Sequence, residues 1–85
     1  MELQYSPKFL RQYGKLSQEQ QEEVDEKLTL FKENQQHPFL KTHKLKGRLQ
    51  ECWSFSVNYK DRIIFEYEDK KTISLLNIGD HSIYQ

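Results

Sequence analysis

Four side chains in this sequence are of types that act on a phosphodiester: His43, Arg62, His81 and Tyr84. An imidazole exchanges a proton near neutral pH, a guanidinium binds the negative charge of a phosphate, and a tyrosine ring stacks on a base. RNA supplies its own nucleophile, the 2′-hydroxyl, so such a set could cleave RNA without a metal ion. This chemistry requires a fold that gathers the side chains on one surface.

A basic stretch follows the most acidic part of the chain. Residues 17–36 carry six acids and two lysines, a net charge of −4, whereas residues 37–48 carry four cations and no acid. The four cations are Lys41, Lys44, Lys46 and Arg48. Such a stretch can hold an RNA backbone even though the net charge of the whole chain is zero. The same charges are also typical of a solvated loop.

Each candidate also has a purely structural interpretation. Arg62 would equally pair with a glutamate across a sheet. His81 follows a glycine and would cap the end of a strand, while Tyr84 would close over the core and Trp53 would belong to it. Residue types and spacing alone therefore predict a small domain with one basic face.

Other kinds of site are excluded or disfavoured by the sequence. Cys52 is the single cysteine, so neither an internal disulfide nor a cysteine-based zinc site is available, and its thiol is expected to be a small buried group. The spacing of His37, His43 and His81 fits no metal motif. Glycine-rich phosphate loops and nucleophile elbows are absent from the sequence. We expect neither a metal nor a cofactor.

The length of 85 residues corresponds to one small domain spanning residues 1–85. Hydrophobic residues make up only 35% of the chain, but an aromatic content of 13% is too high for a disordered segment. No apolar run has the length of a signal peptide or a membrane span. A soluble, cytoplasmic protein that does not contact membranes is therefore expected.

Two helices are predicted in the first half. Ser6 and Pro7 form a helix-start signal for a helix over residues 7–16. Ser17 with Gln20 matches a capping box for a second helix, which ends before the proline at position 38. Their apolar residues at helical spacing are Phe9, Tyr13, Leu16, Val24, Leu28 and Phe31.

Strands are predicted on both sides of the helices. Residues 2–5 suit an edge strand, and from Leu49 the hydrophobic period changes to two, with turns near residues 60–61 and 69–71. The pattern predicts an α+β domain: an N-terminal strand and an antiparallel helical hairpin packed on a mainly antiparallel four-stranded sheet. In this sheet Trp53, Phe55 and Val57 would face the helices. The opposite face, with Ser54, Ser56 and Arg62, would stay partly open.

Three segments of the second half carry a distinctive order: THKLKG, ECWSFSV and KDRIIFEYEDKKTISLLNIGDHSIY. They comprise a basic turn with glycine, an aromatic strand, a strand that begins with arginine, and a strand that ends in glycine. In this order they resemble the RelE/ParE superfamily of bacterial toxin–antitoxin systems, in particular its RelE/YafQ ribonuclease branch. The resemblance covers residues 41–84 and implies a RelE-like fold.

This resemblance also implies an activity. Members of the branch are toxins that enter the ribosomal A site and cut messenger RNA through its 2′-hydroxyl, and a cognate antitoxin wraps around each of them. By position, Arg62 corresponds to the phosphate-stabilising arginine and His81 to the catalytic histidine of YafQ-like members. His43 corresponds to a histidine before the basic turn, and Tyr84 to the terminal aromatic.

The chain departs from the branch at Ser54 and Ser56, where RelE itself has paired lysines, so RelE's proton transfer cannot be copied. These serines and the four cations of the basic stretch are expected to contact RNA. The leading hypothesis is a ribosome-dependent, metal-independent mRNA endonuclease, in which His81 is the general acid or base, His43 assists, Arg62 stabilises the phosphate and Tyr84 orients a base. The alternatives are a ParE-like DNA gyrase poison that cuts nothing, and a catalytically decayed module that binds only its antitoxin.

Overall fold

Two α-helices and five strands make up the described part of the chain in the computed structural model. This part comprises residues 1–84, with His81 described by its main chain only. In chain order the elements are β1 (Glu2–Tyr5), α1 (Pro7–Gly14), α2 (Gln18–Glu33), β2 (His43–Lys44), β3 (Trp53–Ser56), β4 (Arg62–Tyr67) and β5 (Thr72–Gly79), with 3-10 helices at Pro38–Leu40, Gly47–Leu49 and His81–Tyr84. Neither helix of this part has the length and apolarity needed to cross a membrane.

The strands form one sheet in the order β1-β5-β4-β3-β2. Strand β1 runs parallel to β5, and all other neighbours are antiparallel. The predicted α+β fold with a mainly antiparallel sheet is confirmed. The sheet has one strand more than the four predicted, because His43 and Lys44 pair with Ser54 and Trp53. Two residues are too few for a period-two pattern to be visible in the sequence.

Both helices begin with the predicted caps. The Ser6 hydroxyl accepts a hydrogen bond from the Phe9 amide at 3.0 Å, with proline in the first turn. The Ser17 hydroxyl accepts from the Gln20 amide at 3.1 Å, and the Gln20 side chain accepts from the Ser17 amide at 3.0 Å. These bonds satisfy main-chain donors that a helix start leaves without an intrahelical partner. The capping box read from the sequence is therefore confirmed.

Each helix is shorter than predicted. Helix α1 ends at Gly14 rather than at residue 16, since the chain must leave the helix before Ser17 caps the next one. Helix α2 ends at Glu33 because Asn34 has an extended backbone, with φ −157° and ψ 99°. The turn that follows is stabilised by the Asn34 side chain, which accepts from the Gln36 amide at 3.1 Å. Helix α2 therefore ends earlier than the sequence prediction, which was based on the proline at position 38.

The core lies between the helices and one face of the sheet. At its centre, the ring of Phe31 stacks on Phe55 with centroids 4.5 Å apart and meets the edge of Phe65 at 4.9 Å. All three rings are fully buried. Burying such a side chain stabilises a fold by about 1.5–3 kcal/mol. This aromatic cluster fixes the helical hairpin on the sheet and leaves the other sheet face to the site.

Candidate functional site

Four predicted site residues, His43, Ser54, Ser56 and Arg62, lie on the sheet face that does not carry the helices, here called the outer face. In the register, His43 is opposite Ser54, and Ser56 is opposite Arg62. Directly opposite residues project to the same side of a sheet, as do residues two apart in one strand. His43 on β2 and Arg62 on β4 therefore share the outer face. They are two strands apart, roughly 10 Å in the direction across the sheet.

The C-terminal 3-10 turn folds over this face beside Arg62. Gly79 is the cross-strand partner of Arg62, and a Cβ atom at Gly79 would lie only 2.7 Å from Cγ2 of Ile83. Such a contact is too close for two carbon atoms, so the Ile83 side chain can pack at this position because residue 79 has no side chain. Glycine therefore helps residues 81–84 to pack on the outer face.

Tyr84 covers Ser54. The two hydroxyl oxygens are 2.7 Å apart and share a hydrogen bond, and Ser54 is 0% exposed. The expectation that the outer face is open at Ser54 is therefore wrong, because the terminal turn returns over it. The Ser54 hydroxyl is accessible to RNA only after Tyr84 moves away. Ser56, the other serine predicted to contact RNA, is also buried.

Arg62 is held by the turn between β3 and β4. Its Nη1 donates to the carbonyls of Asn58 at 2.6 Å and Asp61 at 3.0 Å, and Nη2 donates to the carbonyl of Tyr59 at 3.3 Å. These partners are main-chain carbonyls rather than the cross-strand glutamate considered as the structural alternative. Of the five N–H donors of an arginine, three are engaged, which leaves two, one on Nε and one on Nη2. Two donors are what a bidentate phosphate contact needs.

Asn58 makes that turn rigid. Its Oδ1 accepts from the amides of Lys60 at 2.8 Å and Asp61 at 2.6 Å, and its Nδ2 donates to the Asp61 carboxylate at 3.1 Å. An asparagine that binds the backbone ahead of it is typical of tight turns. The carbonyls that hold Arg62 are thereby fixed in position. Sequence analysis missed this role of Asn58, although an asparagine three residues before an aspartate was the available signal.

His43 has a defined tautomer when its ring is neutral. Its Nδ1 lies 3.0 Å from the carbonyl oxygen of Lys41. A carbonyl can only accept, so Nδ1 carries the proton and the lone pair is on Nε2. The residue is exposed at the β2 edge of the sheet. Its Nε2 is therefore suited to accept a proton from a group on the outer face.

The role predicted for His81 remains a prediction. Its main chain belongs to the turn that lies over the outer face, which is the region the sequence assigned to it. Its side chain lies outside the described part of the structure. Of the four candidates, the structure brings His43, Arg62 and Tyr84 to the same face.

The basic stretch is divided between the two faces of the sheet. Lys44 is opposite Trp53, so it projects toward the helix-bearing side, whereas its neighbour His43 projects to the outer face. Lys46 and Arg48 follow in the connection between β2 and β3, and all four cations are exposed. The stretch thus follows the β2 edge and does not form a track on the outer face alone.

Cys52 is buried, as predicted, and burial raises the pKa of its thiol, with smaller contributions from the charges of Glu66 and Glu51. A neutral buried thiol is unsuited to act as a nucleophile. Among residues whose side chains are described, no group of three histidine, cysteine or carboxylate residues is arranged to hold a metal ion.

Comparison with solved structures decides the fold. A YoeB/ParE toxin from Agrobacterium tumefaciens superposes with a TM-score of 0.79 at 15% identity, covering 95% of this chain and 99% of the other. YafQ from E. coli gives 0.75 at 19% identity, covering 98% and 96%. YoeB in a YoeB–YefM complex from Staphylococcus aureus gives 0.76 at 20% identity, covering 95% and 97%. The chain has the fold of the YoeB and YafQ toxins.

The RelE-like architecture expected from residues 41–84 is therefore confirmed, and the YoeB/YafQ fold extends over nearly the whole chain. Neither the protein-family models nor the curated protein sequences give a match. In this chain Arg62 on β4 and the C-terminal turn meet on the outer face. The likeness thus concerns the backbone that positions the candidate residues.

Proposed function

We propose that this protein is the toxin of a type II toxin–antitoxin system and that it cuts messenger RNA on the ribosome. The observation that carries the proposal is the position of Arg62, which keeps two donors available on the same sheet face as His43. The toxin fold supports the same conclusion. In this proposal the protein is a cytoplasmic enzyme that needs no metal ion or other cofactor.

The proposed reaction moves one proton at each end of the phosphodiester. A histidine, His43 or His81, takes the proton from the 2′-hydroxyl, and the resulting oxygen attacks the neighbouring phosphorus. The bond to the 5′-oxygen breaks, and that oxygen leaves with a proton from the other histidine. The products are a 2′,3′-cyclic phosphate and a 5′-hydroxyl. Arg62 stabilises the additional negative charge on the phosphate in the transition state.

Tyr84 has two roles in this proposal. In the free protein it closes over Ser54. With RNA bound, the ring turns away from Ser54 and stacks on a base next to the cleaved linkage, which orients the ribose. The movement exposes the Ser54 hydroxyl, which can then contact RNA, whereas Ser56 lines the neighbouring cleft and contacts RNA there. A hydroxyl–hydroxyl bond is weak enough to be exchanged for contacts of this kind.

The proposed partners are a cognate antitoxin and the ribosome with its messenger. The complex of YoeB with YefM is an example of such a toxin bound to its partner. The cations Lys41, Lys44, Lys46 and Arg48 would bind messenger or ribosomal RNA phosphates along the β2 edge. Because such contacts release counterions, ribosome binding should weaken with salt.

A second function is favoured by one observation, the burial of Ser54 and Ser56 at positions where RelE has lysines. A chain without that part of the machinery could act as a ParE-like poison of DNA gyrase, or retain only antitoxin binding. Induction in cells separates these functions if messenger 5′ ends are mapped on ribosomes while plasmid supercoiling is measured.

New messenger ends that disappear with Arg62→Ala and with His81→Ala are the expected result. Relaxed or broken DNA with intact messengers would instead support the gyrase poison. Normal growth, intact messengers and unchanged DNA would leave antitoxin binding as the function.

A further inference from the structure

A cleft of about 380 Å³ opens at the edge of β3, beside the outer face. Strand β2 pairs only with Trp53 and Ser54, so the β3 edge beyond Ser54 is not covered by a strand. Helix α2 and the 3-10 helix Pro38–Leu40 form one side of the cleft, and the β3–β4 turn forms the other. Arg62 lines the cleft and also belongs to the proposed cleavage site, so the two regions are continuous.

Two exposed aromatic rings line this cleft. Phe39 is 72% exposed and Tyr59 is 93% exposed, and neither ring contributes to the core. A single exposed apolar residue is ordinary in a soluble protein. Two rings in one cleft are different, because they offer π-surfaces on which a planar ligand can stack.

The backbone that carries each ring is held in place by its own turn. Leu40 is fully buried, which fixes the short helix Pro38–Leu40 and directs the preceding Phe39 outward. The Phe39 amide donates to Nδ1 of His37 at 3.1 Å, and the two rings meet edge to face at 4.8 Å. Tyr59 lies within the turn that Asn58 stabilises. The backbones that carry the rings are thus ordered before any ligand binds, which reduces the entropic cost of binding.

The charge of the cleft is positive. Its charged lining residues are Lys27, Lys41, Arg62 and Glu23, a net charge of +2 from three cations and one acid. The carboxylate of Glu23 accepts a hydrogen bond from Asn58 Nδ2 at 3.2 Å, so part of its charge is already satisfied. Stacking surfaces together with cations match a nucleotide, which has a planar base and an anionic phosphate.

We propose that this cleft binds one nucleotide of single-stranded RNA, next to the linkage that is cut. The base stacks on Phe39 and Tyr59, and Lys27 and Lys41 bind its phosphate. The scissile phosphate follows at Arg62, where the cleft meets the outer face. This inference rests on the proposed function for its choice of ligand, since the proposed substrate is a single strand.

Fluorescence anisotropy tests the inference with a fluorescein-labelled 2′-O-methyl oligoribonucleotide of about six nucleotides at low ionic strength. The probe lacks free 2′-hydroxyls and so cannot be cut. Phe39→Leu and Tyr59→Leu should each raise the Kd about tenfold, because each removes an aromatic ring on which a base stacks. Phe39→Trp and Tyr59→Phe, which keep a ring, should bind as the wild type does.

Tyr5→Leu is the matched control. Tyr5 is a 40% exposed tyrosine on β1, at the opposite edge of the sheet. The Tyr5→Leu substitution should leave the Kd of the oligonucleotide unchanged. Thermal unfolding checks that every variant is folded. Equal affinity of the leucine variants and the wild type, or no binding by the wild type, would overturn the inference. So would leucine variants that lose the cognate antitoxin but keep the oligonucleotide, because the cleft would then bind protein.

Cleavage of messengers on ribosomes distinguishes this inference from the proposed function. If cleavage requires Arg62 but probe binding is unaffected by the Phe39 and Tyr59 substitutions, only the inference that the cleft binds a nucleotide would be overturned. Probe binding that requires both rings in a protein that cuts no messenger would overturn the proposed function and support the cleft.

Discussion

Tyr84 and Ser54 are separated by 30 residues in the sequence, yet their hydroxyl oxygens are 2.7 Å apart. This bond joins the C-terminal turn to the middle of β3 and covers the outer face at that point. The turn packs closely at this position because Gly79 presents no side chain toward Ile83. One glycine and one pair of hydroxyls therefore help to hold the terminal turn over Ser54.

The bond between Tyr84 and Ser54 should be measurable as a coupling energy. Ser54→Ala and Tyr84→Phe each remove one partner, and the double variant removes both. Because a net protein hydrogen bond contributes about 0.5–1.5 kcal/mol, the two single effects on the free energy of unfolding should exceed the double effect by about that amount. Urea denaturation of the four proteins measures the cycle. Strictly additive effects would mean that the two hydroxyls do not interact in solution.

Gly79→Ala should disturb the packing of the terminal turn on the outer face. The new Cβ would lie 2.7 Å from Ile83 Cγ2, so either the Ile83 side chain must change its rotamer or the turn must shift, at a cost of about 1–3 kcal/mol in unfolding free energy. Gly14→Ala is the control, since no atom lies within 4 Å of a Cβ at that position. This substitution should be neutral or stabilising, because alanine has fewer backbone conformations than glycine in the unfolded chain. Thermal unfolding measures the stability of both variants. Equal stability of the two would contradict the close approach of Ile83 to position 79.

Asn58→Ala should loosen the turn that holds Arg62. The substitution removes the acceptor of the Lys60 and Asp61 amides and a donor to the buried Asp61 carboxylate. We expect a loss of about 1–3 kcal/mol, the cost of leaving buried polar groups unpaired. Asn34→Ala is the matched control, because that exposed side chain accepts only from the Gln36 amide. Chemical denaturation measures both, and a loss at Asn34 as large as the loss at Asn58 would contradict the account of the turn.

Cys52 should react slowly in the folded protein. Burial raises the pKa of its thiol, so at a given pH the folded protein has less thiolate than the unfolded chain. Stability from the neutral thiol is present below the pKa of the unfolded thiol and is lost as the pH rises above it. Alkylation by iodoacetamide from pH 7 to pH 10, with and without urea, measures this difference. Equal rates in both states would contradict the burial of the thiol.

Elements that depend on local sequence were predictable. The caps at Ser6 and Ser17 are formed by residues three positions apart, so the sequence contains all their partners. The turns near residues 60–61 and 69–71 were found for the same reason, although the first of them spans residues 57–61, so β3 ends at Ser56 and its register with β4 was not predicted. Local chemistry thus predicted most of the elements.

Features that depend on distant partners were not predictable. The strand His43–Lys44 exists only because β3 lies beside it, and Ser54 is buried only because Tyr84 returns over it. Arg62 was correctly expected on the outer face, but its three carbonyl partners follow from the shape of a turn that one sequence does not specify. The sequence therefore identified candidate site residues from their chemical types, whereas their contacts could be known only from the structure.

The most direct test of the proposed function is single-turnover cleavage of a defined messenger on programmed ribosomes. The account predicts cleavage by the wild type with a 2′,3′-cyclic phosphate end, and no cleavage when the 2′-hydroxyl at the cut site is replaced by hydrogen. Arg62→Ala should lower the rate by about 10²–10³-fold, the usual cost of removing a transition-state donor. Cleavage of the 2′-deoxy messenger at an undiminished rate, or a wild-type rate with Arg62→Ala, would contradict it.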